Sequence, residues 1–432
     1  MSQLITVREY ARLTTATLIE TSLDQAQISQ SAFDYLCELN ESFTRGGATL
    51  VQVDGRRALR LDNHVGMIET PCGTRIEILP KHTRKGDCLL AARHLLRRLI
   101  QNALRLPTRS AEAASLERFD SPLSEWIMRQ FLEALETLSK RGLRFDYRRE
   151  EEEQRFLRGQ LNVTAQLRQP PGRQHHFQIR HDIYTADRAE NRLLMAALAR
   201  ICTATRDAKN WRRAHELRIR FQEIPASRDV AADFRQWRAD RLMAHYQEIR
   251  PWCELVLGDQ TPTSIAGEWR GISLLFPMER LFEEYVETQL GRHLDSLAQL
   301  TPQTSRHYLC TYKQERQVLL RPDLLVEHHQ GAWVVDAKWK LLDGIGRERP
   351  KKLSRDDFFQ LFAYGQHYLS GAGELILVYP AHPDFPTALP EPFEFPDGKR
   401  LWVLALDLDT GVLSGATRTC LPLRQQSTLH SG

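Results

Sequence analysis

Several features are missing from this 432-residue chain. No GxxxxGK[ST] pattern occurs, which excludes nucleotide hydrolysis through a phosphate-binding loop of that kind. The seven cysteines, at 37, 72, 88, 202, 253, 310 and 420, are scattered and odd in number and form no CxxC. That argues against a disulfide framework or structural zinc. No apolar run approaches the ~20 residues needed to span a bilayer. The opening MSQLITVREYARLTT has no basic segment followed by an apolar core, so a secretory signal is not expected and a cytoplasmic location follows by default. A strong excess of one charge is also lacking: the formal net charge is +4, so whole-molecule electrostatics barely favour nucleic acid. Arginine is dense only locally, in 140–180, which fits a phosphate-tracking or partner-binding surface and equally a solvated face.

With 42% hydrophobic and 26% charged residues, the composition is that of a globular protein. Its length corresponds to about two to three domains. The most informative stretch is Leu319–Lys340, LLRPDLLVEHHQGAWVVDAKWK, which reads as a β-hairpin. Leu319–Glu327 is apolar and β-rich, His328-His329-Gln330-Gly331 is a turn, and Ala332–Lys340 is the second strand. Alternation places Asp323, Leu325 and Glu327 on one face of the first strand. On the second it groups Val334, Asp336, Lys338 and Lys340, with Trp333, Val335, Ala337 and Trp339 opposite. Two carboxylates and an ammonium therefore converge at one end of the hairpin. An Asp that ends an apolar run is costly to bury unless it is paired or bound to a cation. Mg²⁺ suits one or two carboxylates plus waters and phosphate oxygens, and Lys338 is placed to orient water or to stabilise charge on phosphorus. The plainer alternative is a strand-end salt bridge between Asp336 and a neighbouring Lys.

Both flanks bear on the choice. Upstream, Phe276–Leu290 has the apolar spacing of an amphipathic helix, with Glu283 at the border of the apolar face and Glu284 pointing further out. Downstream, Ser354-Arg355-Asp356-Asp357 reads as a weak capping box. The helix it opens, Asp357–Leu369, is expected to bury Phe358, Leu361, Phe362, Tyr368 and Leu369, with Gln360, Tyr364 and His367 on a polar strip. Pro322-Asp323 followed by Asp336-Ala337-Lys338 resembles the PD-(D/E)xK nuclease motif residue by residue. That resemblance implies a catalytic set of Asp323, Asp336 and Lys338, and a metal-binding Glu on the preceding helix, for which Glu283 is the better placed candidate. Gln360 and Tyr364 resemble the QxxxY element of RecB-like members. The alternatives are an ordinary solvated Glu283 and a helix whose surface happens to be polar.

Elsewhere, residues 1–85 read as β-rich, with hairpins over Thr49–Leu61, around Asp54-Gly55, and Val65–Leu79, around Pro71-Cys72-Gly73. Residues 87–140 read as mainly helical, with Leu89, Ala92, Leu95, Leu96, Leu99 and Ala103 on one face and Arg93 and Arg97 on another. Residues 143–182 are polar strand or loop, and the run Glu150–Glu153 is expected to be solvated rather than metal-binding. Residues 187–250 return to helix, where Trp211 and Trp237 are expected to pack rather than stack on bases. Gly258–Gly271 is the best linker candidate, and 421–432 reads as a flexible tail. The expected fold class is α/β: a restriction-endonuclease-like domain with a mixed sheet over 270–420, preceded by a mixed β and α region over 1–260.

Most of the chain resembles the McrC family, the nuclease subunits of McrBC-type modified-cytosine-dependent restriction systems. In the first half this rests on Gly66-Met67-Ile68 through Ile78-Leu79-Pro80-Lys81, on Leu157-Arg158-Gly159-Gln160-Leu161, and on Asp187 with Glu190-Asn191-Arg192. In the second it rests on Leu281-Phe282-Glu283, Arg321-Pro322-Asp323, Asp336-Ala337-Lys338 and Gln360 with Tyr364. The resemblance implies a Mg²⁺-dependent endonuclease acting on double-stranded DNA. It also implies a separate AAA+ GTPase partner of McrB type that binds GTP and recognises the modified base, with residues 1–260 docking on that partner and stimulating it. The extra length around 205–250 and after 380 leaves partner and DNA preference open. Two other classes stand beside this reading: a nuclease acting alone in repair, and a non-cleaving regulator on a nuclease scaffold.

Overall fold

The computed structural model describes residues 4–45, 47–82, 88–106, 121–170, 172–173, 175–238, 240–257, 274–342, 353–369 and 373–424. The linker candidate Gly258–Gly271 lies outside them. The first segment builds β1 (Leu4–Arg8), β2 (Arg12–Thr14), β3 (Gln25–Gln27), α1 (Gln30–Arg45), β4 (Val51–Val53), β5 (Ala58–Leu61), β6 (His64–Glu69) and β7 (Arg75–Leu79). Both expected hairpins form: β4 pairs antiparallel with β5, and β6 with β7. Strand β1 then adds parallel to β7. Leu36, Leu39 and Phe43 of α1 pack on Val7, Leu13, Leu59, Ile68, Ile76 and Ile78, so apolar faces of both small sheets share one core.

Helix α2 (Leu89–Ala103) buries Leu95, Leu96 and Leu99 as its periodicity requires, but Arg93 and Arg97 are buried as well. For Arg93 the reason is a partner deep in the sheet. Glu77 of β7 is fully buried, and the Arg93 guanidinium grips it at 2.6 Å (Nη2 to Oε2) and 3.0 Å (Nε to Oε2). Thr6 Oγ1 donates to the same carboxylate at 3.1 Å.

A second compact unit follows. It contains α3 (Leu123–Arg141), β8 (Asp146–Gln154), β9 (Gln160–Leu161), α4 (Val163–Leu167), β10 (Phe177–Thr185), α5 (Ala189–Ala204), α6 (Ala208–Arg220), α7 (Val230–Gln236) and α8 (Arg250–Leu257). The run Glu150–Glu153 lies within β8, paired antiparallel to β10, and is kept as a strand by cross-strand charges such as Glu151 with Arg180 at 2.6 Å. Gly159 is needed at the turn between β8 and β9: its φ is +71°, and a Cβ would stand 2.4 Å from the Arg180 carbonyl. Trp237 is buried against Tyr246, while Trp211 is half exposed and stacks on His215.

The last segment comprises β11 (Leu274–Pro277), α9 (Met278–His293), β12 (Gln299–Pro302), β13 (His307–Tyr312), β14 (Glu315–Leu320), β15 (Leu324–His328), β16 (Gly331–Ala337), α10 (Arg355–Tyr368), β17 (Gly373–Pro380), β18 (Phe393–Glu394), β19 (Arg400–Leu406) and β20 (Leu413–Ser414). Its seven-stranded sheet has the order β12-β15-β16-β17-β19-β18, with β20 also on β19. Pairing is antiparallel through β12, β15 and β16, and parallel through β16, β17 and β19, so the sheet is mixed as expected.

The compact units do not follow the sequence boundary near 260–270. Described residues of Met1–Leu123 cluster with those of Ser273–Gly432, and those of Ser124–Gln260 form the other unit. Strand β11 is the cause, because it pairs antiparallel with β6. Gly66 is required at that pairing: its φ is +134°, and a Cβ would meet the Leu274 carbonyl at 2.0 Å. Within the expected tail, residues 421–424 are tied down, with Leu423 bridging to Leu294 and Arg424 N–H donating to the His293 carbonyl at 2.9 Å. The remainder of 421–432 lies outside the described residues.

The buried Glu77–Arg93 pair predicts an asymmetric mutational response. Arg93→Met leaves a buried carboxylate without its cation and is expected to cost about 3–5 kcal/mol of unfolding free energy. The double replacement Glu77→Leu/Arg93→Met is expected to cost distinctly less. Denaturant unfolding of the two variants checks the ordering, and equal losses would contradict it.

Candidate active site

The pairing of β15 with β16 sets Leu325 opposite Val334 and Leu324 opposite Val335, so one further step places Asp323 across from Asp336. Leu325 and Val334 face Leu361 and Tyr364 of α10 in a shared core, which presses that face of the hairpin against the helix. Asp336 stands at the end of this apolar face and is 1% exposed. Asp323 Oδ2 accepts the Ala337 N–H at 2.8 Å. Both Asp336 oxygens are buried without a hydrogen-bond donor. Lys338 Nζ lies 2.7 Å from Asp336 Oδ2, an ion-pair contact that lacks hydrogen-bond alignment.

A relay fixes Lys338 from the other side. Its Nζ donates to Gln360 Oε1 at 3.4 Å, Gln360 Nε2 donates to the Tyr364 hydroxyl at 2.9 Å, and that hydroxyl donates to the Arg321 carbonyl at 2.9 Å. The relay therefore starts at the ammonium and ends on the backbone two residues before Asp323. Tyr364 is buried rather than on a polar strip, and Phe362, expected to be buried, is 38% exposed beside Phe395. His367 takes no part in the relay and lies near His307. Ser354 caps α10 by accepting the Asp356 N–H. The fourth member of the expected capping box, Asp357, instead faces Tyr379 Oη at 3.3 Å and Lys340 Nζ at 3.4 Å.

Helix α9 buries Leu281, Phe282, Tyr285 and Val286, leaving Glu283 and Glu284 at the edges of that face. The two differ in what they meet. Glu284 pairs with Arg280 at 2.9 Å. Glu283 is reached by Gln303 Nε2 at 3.4 Å, and the same amide approaches Asp323 Oδ1 at 3.5 Å. A cleft of ≈ 390 Å³ opens here, lined by Arg280, Glu283, Gln303 and Asp323 among others. Gln303 carries no sequence signal. It follows β12 with a φ of +47°, held there by its N–H bond to the Asp323 carbonyl at 2.9 Å, a contact between segments far apart in the chain.

Burial, and then their mutual proximity, raise the proton affinity of these acids. Burial, followed by the charges of Asp323 and Asp336, pushes Glu283 up to about 8. Burial and then Asp323 push Asp336 up to about 7, and burial also raises Asp323. Burial pulls the Lys338 ammonium down, but Asp336 and Asp323 outweigh it and hold its affinity for the proton above the ordinary value. Fully ionised, the three acids would exceed the one ammonium, and the raised proton affinities express that cost. Two orphaned oxygens on a buried carboxylate fit a hard divalent cation held by one or two carboxylates. Among the described residues, however, no three Asp, Glu, His or Cys side chains converge on one metal position. Asp323, Asp336 and Glu283, the expected set, do not meet as one ligand set in this arrangement, and the Gln303 amide lies between Glu283 and Asp323.

A profile of the family described as "McrBC 5-methylcytosine restriction system component" matches residues 59–380. No curated protein matches. Among solved structures, a chain of the refined half-complex from the tetradecameric assembly of Thermococcus gammatolerans McrB AAA+ hexamers with bound McrC is 20% identical. It superposes with a TM-score of 0.70 over 94% of this chain and 95% of that one. A chain of the Thermococcus gammatolerans McrBC complex, also 20% identical, gives 0.52 over 67% of this chain and 88% of that one. At that identity the likeness shows a common fold. The family profile, by contrast, takes in about three quarters of the sequence, from β5 to the end of β17, and with it both Asp residues, Lys338 and the relay. The chain belongs to the McrBC 5-methylcytosine restriction system component family.

Proposed function

We propose that this chain is the Mg²⁺-dependent endonuclease subunit of a GTP-dependent restriction complex acting on double-stranded DNA that carries modified cytosine. The observation that carries the reading is the pairing of Asp323 with Asp336 across the hairpin, with both Asp336 oxygens buried and unbonded and Lys338 Nζ 2.7 Å away. Asp323 and Asp336 would hold the ion. A bound Mg²⁺ supplies Lewis-acid activation of a phosphodiester and lowers the pKa of a water. Lys338, steadied by Gln360 and Tyr364, orients the attacking water and stabilises charge developing on the phosphate. Glu283 restrains Asp323 through Gln303. GTP belongs to a partner, since the sequence has no GxxxxGK[ST] loop of its own. One solved structure that shares the fold contains McrB AAA+ hexamers with bound McrC, which supports a partner of that type. Residues 1–260 are then the part that docks on the partner and stimulates it.

Asp336→Asn is expected to abolish cleavage of modified duplex DNA by the reconstituted complex while leaving stimulation of the partner's GTP turnover unchanged. Lys338→Ala is expected to slow cleavage by about 10²–10³-fold, the scale for losing one charge-stabilising donor. Undiminished cutting by Asp336→Asn would end the nuclease reading. Glu283→Gln is expected to impair cleavage much more than Glu284→Gln, and equal effects would dissociate Gln303 from the site.

Stability offers a readout without turnover. Folded Asp336 keeps its proton up to about 7, whereas an unfolded Asp releases it near 4. Between those values the folded chain binds more protons than the unfolded one, so stability falls as pH rises. The chelated protein should lose Tm from about pH 4 to pH 7. Asp336→Asn should flatten that slope to the share left by other raised acids such as Glu9, itself about 7 through burial. Mg²⁺ should raise Tm at about pH 7.5 and not at about pH 4; equal effects at both would contradict a cation on these carboxylates.

A further inference from the structure

We propose that the two-stranded ribbon β13–β14 is a DNA-engaging arm that enters a groove of the duplex and sets the scissile phosphate against Asp323 and Asp336; this rests on the nuclease reading. The ribbon pairs only with itself, as a sheet of two strands, and most of its residues are exposed on both faces. Its base is held firmly. Tyr368 Oη donates to the Leu320 carbonyl at 2.7 Å, and the His307 ring packs edge-on against Tyr368 at 4.6 Å. Arg306 is paired to Glu327 at 2.9 Å. Beyond that anchor no apolar core holds the strands.

The outer part carries cations laid on aromatic rings. The Arg316 guanidinium lies 5.1 Å from the centre of the Tyr308 ring, and Lys313 Nζ lies 5.4 Å from that of Tyr312. Neither cation is paired with a carboxylate among the described residues. Such pairs offer a phosphate a charge and a base or sugar a flat face. The tip is a two-residue turn between the paired Tyr312 and Glu315, with Lys313 at φ +49° and Gln314 at φ +67°. Asn and Gly favour that conformation; here it is adopted by two long polar side chains, which places a lysine at the extremity. Val318, at φ +53°, is a second strained position, where the Leu309–Val318 pair drops out of the ladder.

Dimensions and location agree with a duplex. Six-residue strands at about 3.3 Å per residue reach roughly 20 Å, and the ≈ 12 Å major groove admits a two-stranded ribbon. Strand β14 ends at Leu320, and the chain reaches Asp323 three residues later. An arm seated in a groove would therefore fix the backbone beside the carboxylates.

The test uses the full chain in an Asp336→Asn background, so that binding is read without cleavage, and a labelled modified duplex titrated over a range of salt, with and without the GTPase partner. Lys313→Ala/Arg316→Ala, both at exposed positions, is expected to weaken binding at least tenfold. It should also lower the slope of log K against log salt by about 2, one unit for each phosphate that is no longer neutralised. Tyr308→Ala should weaken binding while leaving that slope nearly unchanged. Unaltered affinity and slope in the double variant, or no duplex binding by the parent chain, would overturn the proposal. So would loss of partner binding with duplex binding intact, which would make the ribbon a protein-docking surface. The unsubstituted and Asp336→Asn chains are both assayed for cutting with the partner, so a failure of the nuclease reading shows as equal activities there and not in the affinities.

Discussion

Two carboxylates that repel each other are forced side by side, and much of the second half of the chain is arranged to hold them there. The register of β15 and β16 leaves Asp323 and Asp336 no other relative position. Leu325, Val334 and Leu361 drive the hairpin against α10, and slipping the register by one residue would turn that apolar face to solvent. The main chain contributes a single donor, the Ala337 N–H to Asp323. Among the described residues, Asp336 is the one carboxylate with both oxygens buried and unbonded. Its charge is met by the Lys338 ammonium at 2.7 Å, and burial leaves its carboxyl with a raised proton affinity.

The support reaches further than the nuclease-like sheet. Trp339, next to Lys338, donates its indole N–H to Glu9 Oε1 at 2.8 Å, and the Lys81 N–H donates to the same oxygen at 2.7 Å. Glu9 directly follows β1, and β1 lies on β7, which Arg93 clamps through Glu77. A continuous path of packed and bonded groups thus joins α2 to the strand end that carries Lys338. The first 123 residues are part of the scaffold of the site as well as a candidate docking region.

How much of this is legible in the sequence depends on range. The hairpin strands are shorter than the expected Leu319–Glu327 and Ala332–Lys340: β15 begins at Leu324 and β16 ends at Ala337, leaving Asp323 and Lys338 one step outside. That Asp323, Asp336 and Lys338 come together can still be read, because one local hairpin brings them there. The phase of α9 is readable for the same reason, and it separates Glu283 from Glu284, which turns to Arg280. What fails is non-local. Gln303 reaches the site through a strained residue after β12. Arg93 and Arg97 stand off the leucine face, and periodicity cannot see that Glu77 in another strand takes Arg93 or that the Ser121 carbonyl takes Arg97. The boundary near 260–270 misleads because β11, four residues long, pairs with a strand some two hundred positions earlier. The hydroxyl of Tyr364 suggests a polar strip, yet its ring is buried and only the hydroxyl finds a polar partner.

Motif residues also divide by what their charges do. Asp187, Glu190, Asn191 and Arg192 contribute to the family resemblance as much as Asp323 does, but their bonds are closed within the second unit. Arg192 spans Asp187 at 2.9 Å and Asp233 at 2.6 Å. Glu190 accepts the Arg238 N–H at 3.0 Å, and Asn191 ties the Arg144 and Ala186 carbonyls to the Tyr246 hydroxyl. Each of these side chains is accounted for by helix packing, and nothing there asks for a ligand. Asp336, as buried as Glu190 and Asn191, has the Lys338 ion pair but no hydrogen-bond donor to either oxygen, beside a raised Asp323. The two motifs thus differ in how far the fold itself satisfies their buried carboxylates. At the hairpin end a buried carboxylate is left without a hydrogen-bond donor, whereas the motif of the second unit is closed by its own bonds.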